Sequence, residues 1–393
     1  MPVAIRQKII TGLTAMAVLL FATGLLLDGP GTSAAAVEGL RICGNVLIPS
    51  LFPFFVVSQL CVRAGLANSA GRAFRRPMAW LFGLPGACAP AFILGLIGGY
   101  PVGARTAISL YEQRACSKAE AERLLAFCNN SGPAFILGAV GAMAFGTTWA
   151  GVVLYGAHVA ASVAVGVLFR RFGRGGEGPR VSLSERGEAL PLSRAFTAAV
   201  SESAGSIVSI CAFVIFFSVA IRLLFVSGTL PAAARGLAAL LSPLGLSAEV
   251  LERVLAGLLE VTSGVHGLTA TAAGTGIKLT AAAFMLGWAG VSVHCQVLAF
   301  IGQSGLRTTP YIAGKLLHGV ISSALVWGIV QILPFDAQVG KTLSGQVAAL
   351  QSLNPTAAFG LAAGAVGAVW GIFLLLGLGF RRKSPCNMGR KSL

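Results

Sequence analysis

Two glycine-rich interruptions in apolar sequence carry the residue types that bind small polar molecules inside a membrane. The first is Gly98-Gly99-Tyr100-Pro101-Val102-Gly103, and the second is Thr262-Ser263-Gly264-Val265-His266-Gly267. An unpaired backbone group is costly in hydrocarbon, so a broken helix persists there only where protein or water satisfies its polar groups. A matched pair of such interruptions in two halves of a chain predicts the substrate site of a secondary transporter.

Two predicted spans are also interrupted by polar residues. In Cys128-Asn129-Asn130-Ser131-Gly132-Pro133 the proline removes a backbone donor, so the helix is predicted to open and expose carbonyls and amides. These groups could bind an ion or a polar substrate, or the asparagines could join neighbouring helices. In Gly290-Val291-Ser292-Val293-His294-Cys295-Gln296, the histidine is a proton carrier, a substrate donor or a packed residue bonded to a carbonyl.

Glu260 lies just before the second interruption. A carboxylate in hydrocarbon is costly unless it is paired, protonated or hydrated, and it is therefore a functional candidate. We predict that Glu260, with Gln296 as a second candidate, couples transport to Na⁺ or H⁺. A bond from Glu260 to a basic residue is the alternative, and Glu202 is a weaker candidate.

The predicted ligand is a small molecule that both interruptions and both broken spans contact. Half-helix N-termini attract anions, and Tyr100 could stack on a planar ring. We expect no metal site and no cofactor, and the absence of HExxH, GxSxG and Walker motifs argues against an enzyme. The predicted substrate-binding residues are Gly99, Tyr100, Pro101, Asn129, Asn130, Ser131, Thr262, Ser263, His266, Ser292 and His294.

Composition indicates a polytopic membrane protein. Of 393 residues, 55% are hydrophobic and 11% are charged, and the mean hydropathy is +0.82, whereas soluble domains carry about 25% charged residues. The net charge of +16 comes from bases in short loops, which indicates topology determinants rather than nucleic-acid binding. The eight cysteines form no CxxC motif and are predicted to be buried core residues.

The apolar segments predict eight transmembrane helices and two re-entrant hairpins in an all-α protein. Each leg of the first hairpin has eleven residues, which at about 1.5 Å per residue is about half of a roughly 30 Å core. The spans are predicted at 9–27, 40–62, 124–145, 148–169, 196–226, 281–302, 311–333 and 357–380, and the hairpins near 85–111 and 254–279.

The domain boundaries follow from these segments and from a weak internal duplication, in which Ile48–Phe55 aligns with Ile207–Val214 at an offset of 159 residues. The second unit begins on the opposite side of the membrane, so the repeats are predicted to be inverted. The predicted parts are an uncleaved N-terminal helix (1–37, with signal-peptide cleavage as the alternative), the first repeat (38–169), a cytoplasmic linker (170–195), the second repeat (196–333), and a C-terminal helix with a basic tail (334–393).

The charges predict that both termini are cytoplasmic. With both hairpins re-entrant, all but six of the 29 lysines and arginines lie on that side, where Arg105 and Lys315 are counted with the loop residues. The six exceptions are Arg41, Arg222, Arg235, Arg253, Lys278 and Lys341.

Four motifs together resemble the YlbJ-type sporulation integral membrane proteins, which belong to the nucleoside-recognition, or Gate, domain group. The motifs are Ile48–Phe55, Gly98–Ala104, Ala119–Leu125 and Phe127–Pro133. The resemblance implies a fold similar to concentrative nucleoside transporters, and it implies transport of dipicolinic acid across a membrane around the forespore by alternating access. Alternatives are a carrier of nucleosides or other small anions, and a membrane sensor or scaffold that binds ligand without moving it. The bilayer is the expected environment, and an oligomer is left open.

Overall fold

The computed structural model describes residues 3–63, 74–172 and 191–332, and its regular structure in these ranges is helical. Five of the helices in these ranges are long and apolar enough to cross a membrane, or six if the bent pair Gly29–Leu47 and Leu51–Val57 counts as one span. The prediction of an all-helical, polytopic membrane protein is confirmed. The predicted span 357–380, most of the linker and the basic tail lie outside the described residues.

The same order of elements occurs twice along the chain. A long or bent helix comes first. After shorter helices, which include Thr229–Leu240 in the second unit, come a helical hairpin, a broken helix and a second long helix. In the first unit, hairpin 1 is Ala89–Gly98 with Val102–Glu112, broken helix 1 is Lys118–Cys128 with the π-helical segment Ala134–Ala144, and long helix 1 is Thr148–Phe169. In the second unit, which begins with Leu192–Val226, hairpin 2 is Ala248–Leu259 with Val261–Thr269, broken helix 2 is Thr275–Trp288 with Val291–Ser304, and long helix 2 is Thr309–Ile332.

Local sequence explains where these elements start. Broken helix 1 begins with a capping box, because the Ser117 hydroxyl accepts the Glu120 N–H and the Glu120 carboxylate accepts the Ser117 N–H. Farther along the same helix, the buried Glu122 carboxylate accepts two bonds from the Arg307 guanidinium, at 2.6 and 2.9 Å, and one from the Arg307 N–H. The loop before long helix 2 is thereby attached to broken helix 1.

Hairpin 2 differs from its prediction. The helix break lies at Glu260, and Thr262–Gly267 is helical rather than interrupted. The hairpin covers residues 248–269 instead of 254–279. The reason is that the Glu260 side chain caps the second leg itself, so the small polar residues that follow continue as helix.

Two apolar clusters divide the described core. One contains hairpin 1, the first half of broken helix 1 and the second half of broken helix 2. The other contains hairpin 2 with the opposite halves of the two broken helices. Each broken helix therefore contributes one half to each cluster, and the two helix breaks lie where the clusters meet.

Large apolar side chains cover much of the described surface. Leu19, Leu26 and Val208 are examples that are more than 60% exposed. On a soluble protein, extensive exposed apolar surface marks an interaction site, whereas on membrane-spanning helices such side chains face lipid. The span Gln7–Leu27 has no buried residues in its most apolar window, so it lies outside the core that positions the site.

Candidate substrate site

The opening in broken helix 1 is packed directly against hairpin 1. The helix ends at Cys128, Asn129 is extended (φ −91°, ψ 91°), and the chain becomes helical again after Pro133. A side chain added at either Gly95 or Gly103 of hairpin 1 would overlap the carbonyl oxygen of Cys128. These glycines let the hairpin backbone touch the first free carbonyls of the broken helix.

The tip of hairpin 1 contacts both broken helices. Gly99 has φ +73°, and a Cβ placed there would lie 3.0 Å from the backbone nitrogen of Gly132. The Tyr100 hydroxyl donates to the carbonyl of Leu286 in broken helix 2 at 2.7 Å. The predicted first interruption therefore lies where the two units meet.

The tip of hairpin 2 is built around the Glu260 carboxylate. Its two oxygens accept the N–H groups of Thr262 at 2.9 Å and Ser263 at 2.6 Å, and Glu260 is 2% exposed. Gly290, at the break in broken helix 2, has φ +86° and lies so close that a Cβ would be 3.2 Å from the backbone nitrogen of Val261. Each hairpin tip thus packs on the broken helix of its own unit.

A central cavity of about 60 Å³ lies between the two hairpin tips and the two helix breaks. Protein pockets that bind drug-sized ligands measure about 300–1,000 Å³, so this cavity is small. Apolar side chains from the first helix of each unit complete the wall. The polar or glycine residues that line the cavity are Gly98, Gly99, Tyr100, Ser131, Gly132, Glu260, Thr262, Ser292 and Gln296.

Two larger cavities adjoin the central one at different walls. A cavity of about 260 Å³ shares Phe135 and Thr262 with it and is also lined by Glu38, Arg41 and His266. A cavity of about 360 Å³ shares Phe213 and Gln296 with it and is also lined by Pro101, Arg105 and Glu202. Phe135 and Phe213 are thus the aromatic side chains on the walls that the central cavity shares with its two neighbours.

The structure brings seven of the predicted substrate or ion residues together at the central cavity. They are Gly99, Tyr100, Ser131, Glu260, Thr262, Ser292 and Gln296. Others lie elsewhere: His266 is exposed on hairpin 2 beside the 260 Å³ cavity, Pro101 lines the 360 Å³ cavity, and the Ser263 hydroxyl lies 3.4 Å from that of Ser218.

Asn129, Asn130 and His294 are buried behind the cavity rather than on its wall. The Asn130 side chain donates to the carbonyl of Phe127 at 2.9 Å. The Asn129 amide is 3.5 Å from the Tyr311 hydroxyl, which is 2.9 Å from Nδ1 of His294. These side chains support the helix breaks from behind. Within the described ranges, Oδ1 of Asn129 and Nε2 of His294 have no hydrogen-bond partner.

Sequence reasoning missed the most unusual charge in this region. Lys315 was expected on the cytoplasmic side, but it lies on long helix 2 with no exposed surface, and its Nζ donates to the carbonyl of Asn129 at 3.0 Å. The same Nζ is 5.1 Å from the centre of the Tyr100 ring. Its position inside the predicted span 311–333 was the available signal.

His158 and His318 were also missed, because they looked scattered along the sequence. Their rings are 4.2 Å apart, Nε2 of His318 bonds the carbonyl of His158 at 3.0 Å, and Nε2 of His158 accepts the N–H of Ser131 at 3.0 Å. The available signal was their separation of 160 residues, within one residue of the offset that aligns the two units.

The comparisons with known proteins agree with this architecture. The family profile Gate, described as nucleoside recognition, matches residues 46–173, which include hairpin 1, broken helix 1 and long helix 1. The chain is 30% identical over 328 residues to the sporulation integral membrane protein YlbJ of Bacillus subtilis (strain 168), covering 78% of this chain and 80% of the relative. This chain is thus an integral membrane protein with a Gate domain. It belongs to the family of the YlbJ sporulation integral membrane proteins.

Proposed function

We propose that this protein transports a small planar carboxylate anion, dipicolinic acid during spore formation, by alternating access. The observation that carries the proposal is the central cavity, which lies between two hairpin tips and two helix breaks and adjoins a larger cavity at each of two walls. A matched pair of interrupted helices around one cavity is the arrangement in which secondary transporters bind substrate. A scaffold protein does not require a central cavity with a larger cavity on each of two walls.

The small volume of the central cavity supports a moving site. The central cavity of about 60 Å³ is well below the roughly 300–1,000 Å³ of pockets that hold drug-sized ligands. Substrate binding therefore requires the two apolar clusters, each of which holds one hairpin, to separate at one wall. Phe135 and Phe213 are the side chains that such a movement would withdraw.

Ion pairs support an inverted arrangement with cytoplasmic termini. Arg307 bonds Glu122; Arg307 is one of the bases predicted on the cytoplasmic side, and Glu122 lies just before the predicted span 124–145 on that side. Arg222 bonds Asp28 at 2.9 Å; Arg222 is one of the six bases predicted on the outer side, and Asp28 directly follows the predicted span 9–27, which begins on the cytoplasmic side. Two contacts between distant parts of the chain thus pair residues from the same predicted face, as the positive-inside arrangement requires. The proposed location is a membrane that surrounds the forespore.

The charges near the cavity suggest how an anion is accommodated. Glu260 lines the cavity and would repel a dianion, so we assign the coupling ion, Na⁺ or H⁺, to this carboxylate, where it would cancel the charge. Across the cavity, the ring of Tyr100 at the tip of hairpin 1 lines the wall. The Lys315 ammonium, which comes from long helix 2, lies over the face of this ring. The Tyr100 ring offers a planar substrate a stacking surface.

A nucleoside carrier is the second candidate, since the Gate profile carries the description nucleoside recognition. Nucleosides share the planar ring but lack the carboxylates. Purified protein in proteoliposomes separates the candidates. We expect uptake of radiolabelled dipicolinate that unlabelled dipicolinate suppresses and that nucleosides and aliphatic carboxylates do not. Suppression by nucleosides would favour the second candidate, and thermal stabilisation by dipicolinate without uptake would identify a sensor.

A further inference from the structure

Lys315 is a buried lysine without a carboxylate partner among the described residues. It is fully buried, and the ion pairs of the described chain join arginines to Glu38, Asp28 and Glu122. A buried charge in a membrane protein is costly and persists where function or a specific partner requires it. The contacts of this ammonium group therefore indicate its role.

Those contacts lie at the break in broken helix 1. The ammonium donates to the carbonyl of Asn129, the first residue after the helical half ends at Cys128. The C-terminal end of a helix carries a partial negative charge, and carbonyls of unwound transporter helices are typical ligands of Na⁺. The face of Tyr100, 5.1 Å from Nζ, adds a cation–π contact.

Backbone packing fixes Lys315 in this position. A Cβ at Gly314 would overlap the carbonyl oxygen of Ala126, so long helix 2 lies directly on broken helix 1 two residues before that helix ends. The next side chain along long helix 2 is Lys315, which reaches the break from there. The close contact between long helix 2 and broken helix 1 thus places Lys315 beside the carbonyl of Asn129.

We propose that the break in broken helix 1 is a monovalent-cation site that the ammonium group of Lys315 fills permanently, in place of a free metal ion. The first half of the substrate site then carries a fixed positive charge, and only Glu260 in the second half takes an exchangeable ion. The role of this fixed charge in transport rests on the proposed function. The presence of a cation at the helix break can be tested without a transport assay.

The test is chemical rescue of Lys315→Ala in detergent-solubilised full-length protein. This substitution removes the equivalent of propylammonium, and 1-propanol is a neutral molecule of similar size. We expect Lys315→Ala to lower the apparent melting temperature, propylammonium to restore it saturably, and 1-propanol to have no such effect. Equal rescue by 1-propanol would show that volume matters rather than charge, and the absence of any rescue would also overturn the proposal.

Lys278→Ala is the matched control, because Lys278 also bonds a carbonyl at a helix end, that of Thr269 at 2.8 Å, but it is only half-buried. Propylammonium should raise the melting temperature of Lys278→Ala no more than that of the wild type. A rise equal to that of Lys315→Ala would reveal a non-specific effect. If a variant is too unstable for a melting curve, the yield of monodisperse protein after extraction with each additive replaces the melting temperature as the measure of rescue. Lys315→Met retains length without charge, and a melting temperature equal to that of the wild type would contradict the proposal. These melting experiments contain no transport step, so their outcomes hold even if the protein does not take up dipicolinate.

Discussion

His158 and His318, which are 160 residues apart, stack with their ring centres 4.2 Å from each other, and Nε2 of His318 bonds the carbonyl of His158. Each lies on the long helix of its own unit. Because Nε2 of His158 accepts the N–H of Ser131, the same histidine also holds the break in broken helix 1. The pair therefore joins the long helices of the two units, directly behind the candidate substrate site.

Replacing His158 with leucine should destabilise the protein by about 1–3 kcal/mol, because the buried N–H of Ser131 would lose its acceptor. His158→Gln supplies an acceptor and should lose less. Apparent melting temperatures in detergent measure the difference. Equal losses for the two variants would mean that the bond to Ser131 contributes nothing beyond packing.

Gly103→Ala should disrupt the contact between hairpin 1 and broken helix 1, because the new methyl group would overlap the backbone carbonyl of Cys128. The expected cost is about 1–3 kcal/mol, which is typical of overpacking. Gly156→Ala is the matched control, since this helical glycine has open space around it. A melting temperature of Gly103→Ala as high as that of Gly156→Ala would contradict the close approach.

Glu260 has two roles that substitution can separate. Glu260→Gln removes the charge and retains one oxygen that accepts one of the two N–H groups, while its NH2 group cannot accept the other; we therefore expect a stability loss smaller than that of Glu260→Ala, together with a loss of dipicolinate flux. Glu260→Ala also removes the cap and should cost a further 0.5–2 kcal/mol, roughly. Flux assays and melting curves on the same preparations test both statements. A wild-type rate for Glu260→Gln would remove Glu260 from the coupling mechanism.

Asn129→Ala should impair flux while leaving membrane insertion intact. The substitution keeps the carbonyl that Lys315 bonds and removes only the amide near the Tyr311 hydroxyl. The break would lose its connection to Tyr311 and His294. Uptake rates normalised to inserted protein provide the measurement, and an unchanged rate would leave Asn129 as a packing residue.

Hairpin 1 and the break at Asn129–Pro133 could be predicted from the sequence, because glycine and proline act on the backbone locally. The break in hairpin 2 was placed two residues late, since the Glu260 cap that ends one leg and starts the next is a side-chain effect. Thr262 and Ser263 looked like an interruption because small polar residues are common at one. Hydropathy does not distinguish the two cases.

Lys315 and the histidine pair required the tertiary structure. A lysine in the first turns of an apolar helix also fits a cytoplasmic flank, and the packing of Gly314 against Ala126 places it at the helix break instead. His158 and His318 meet because the long helices of the two units pack against each other. Long-range pairing of this kind leaves no local motif in the chain.

The central claim is that one cavity opens alternately to the two sides of the membrane. Ser292 is buried on its wall, so Ser292→Cys, in a variant whose eight native cysteines are replaced, reports access to the site. We predict that a membrane-impermeant maleimide labels this cysteine in oriented vesicles from either side, and that dipicolinate slows labelling from both. Labelling from one side only, or labelling that dipicolinate does not affect, would contradict the account.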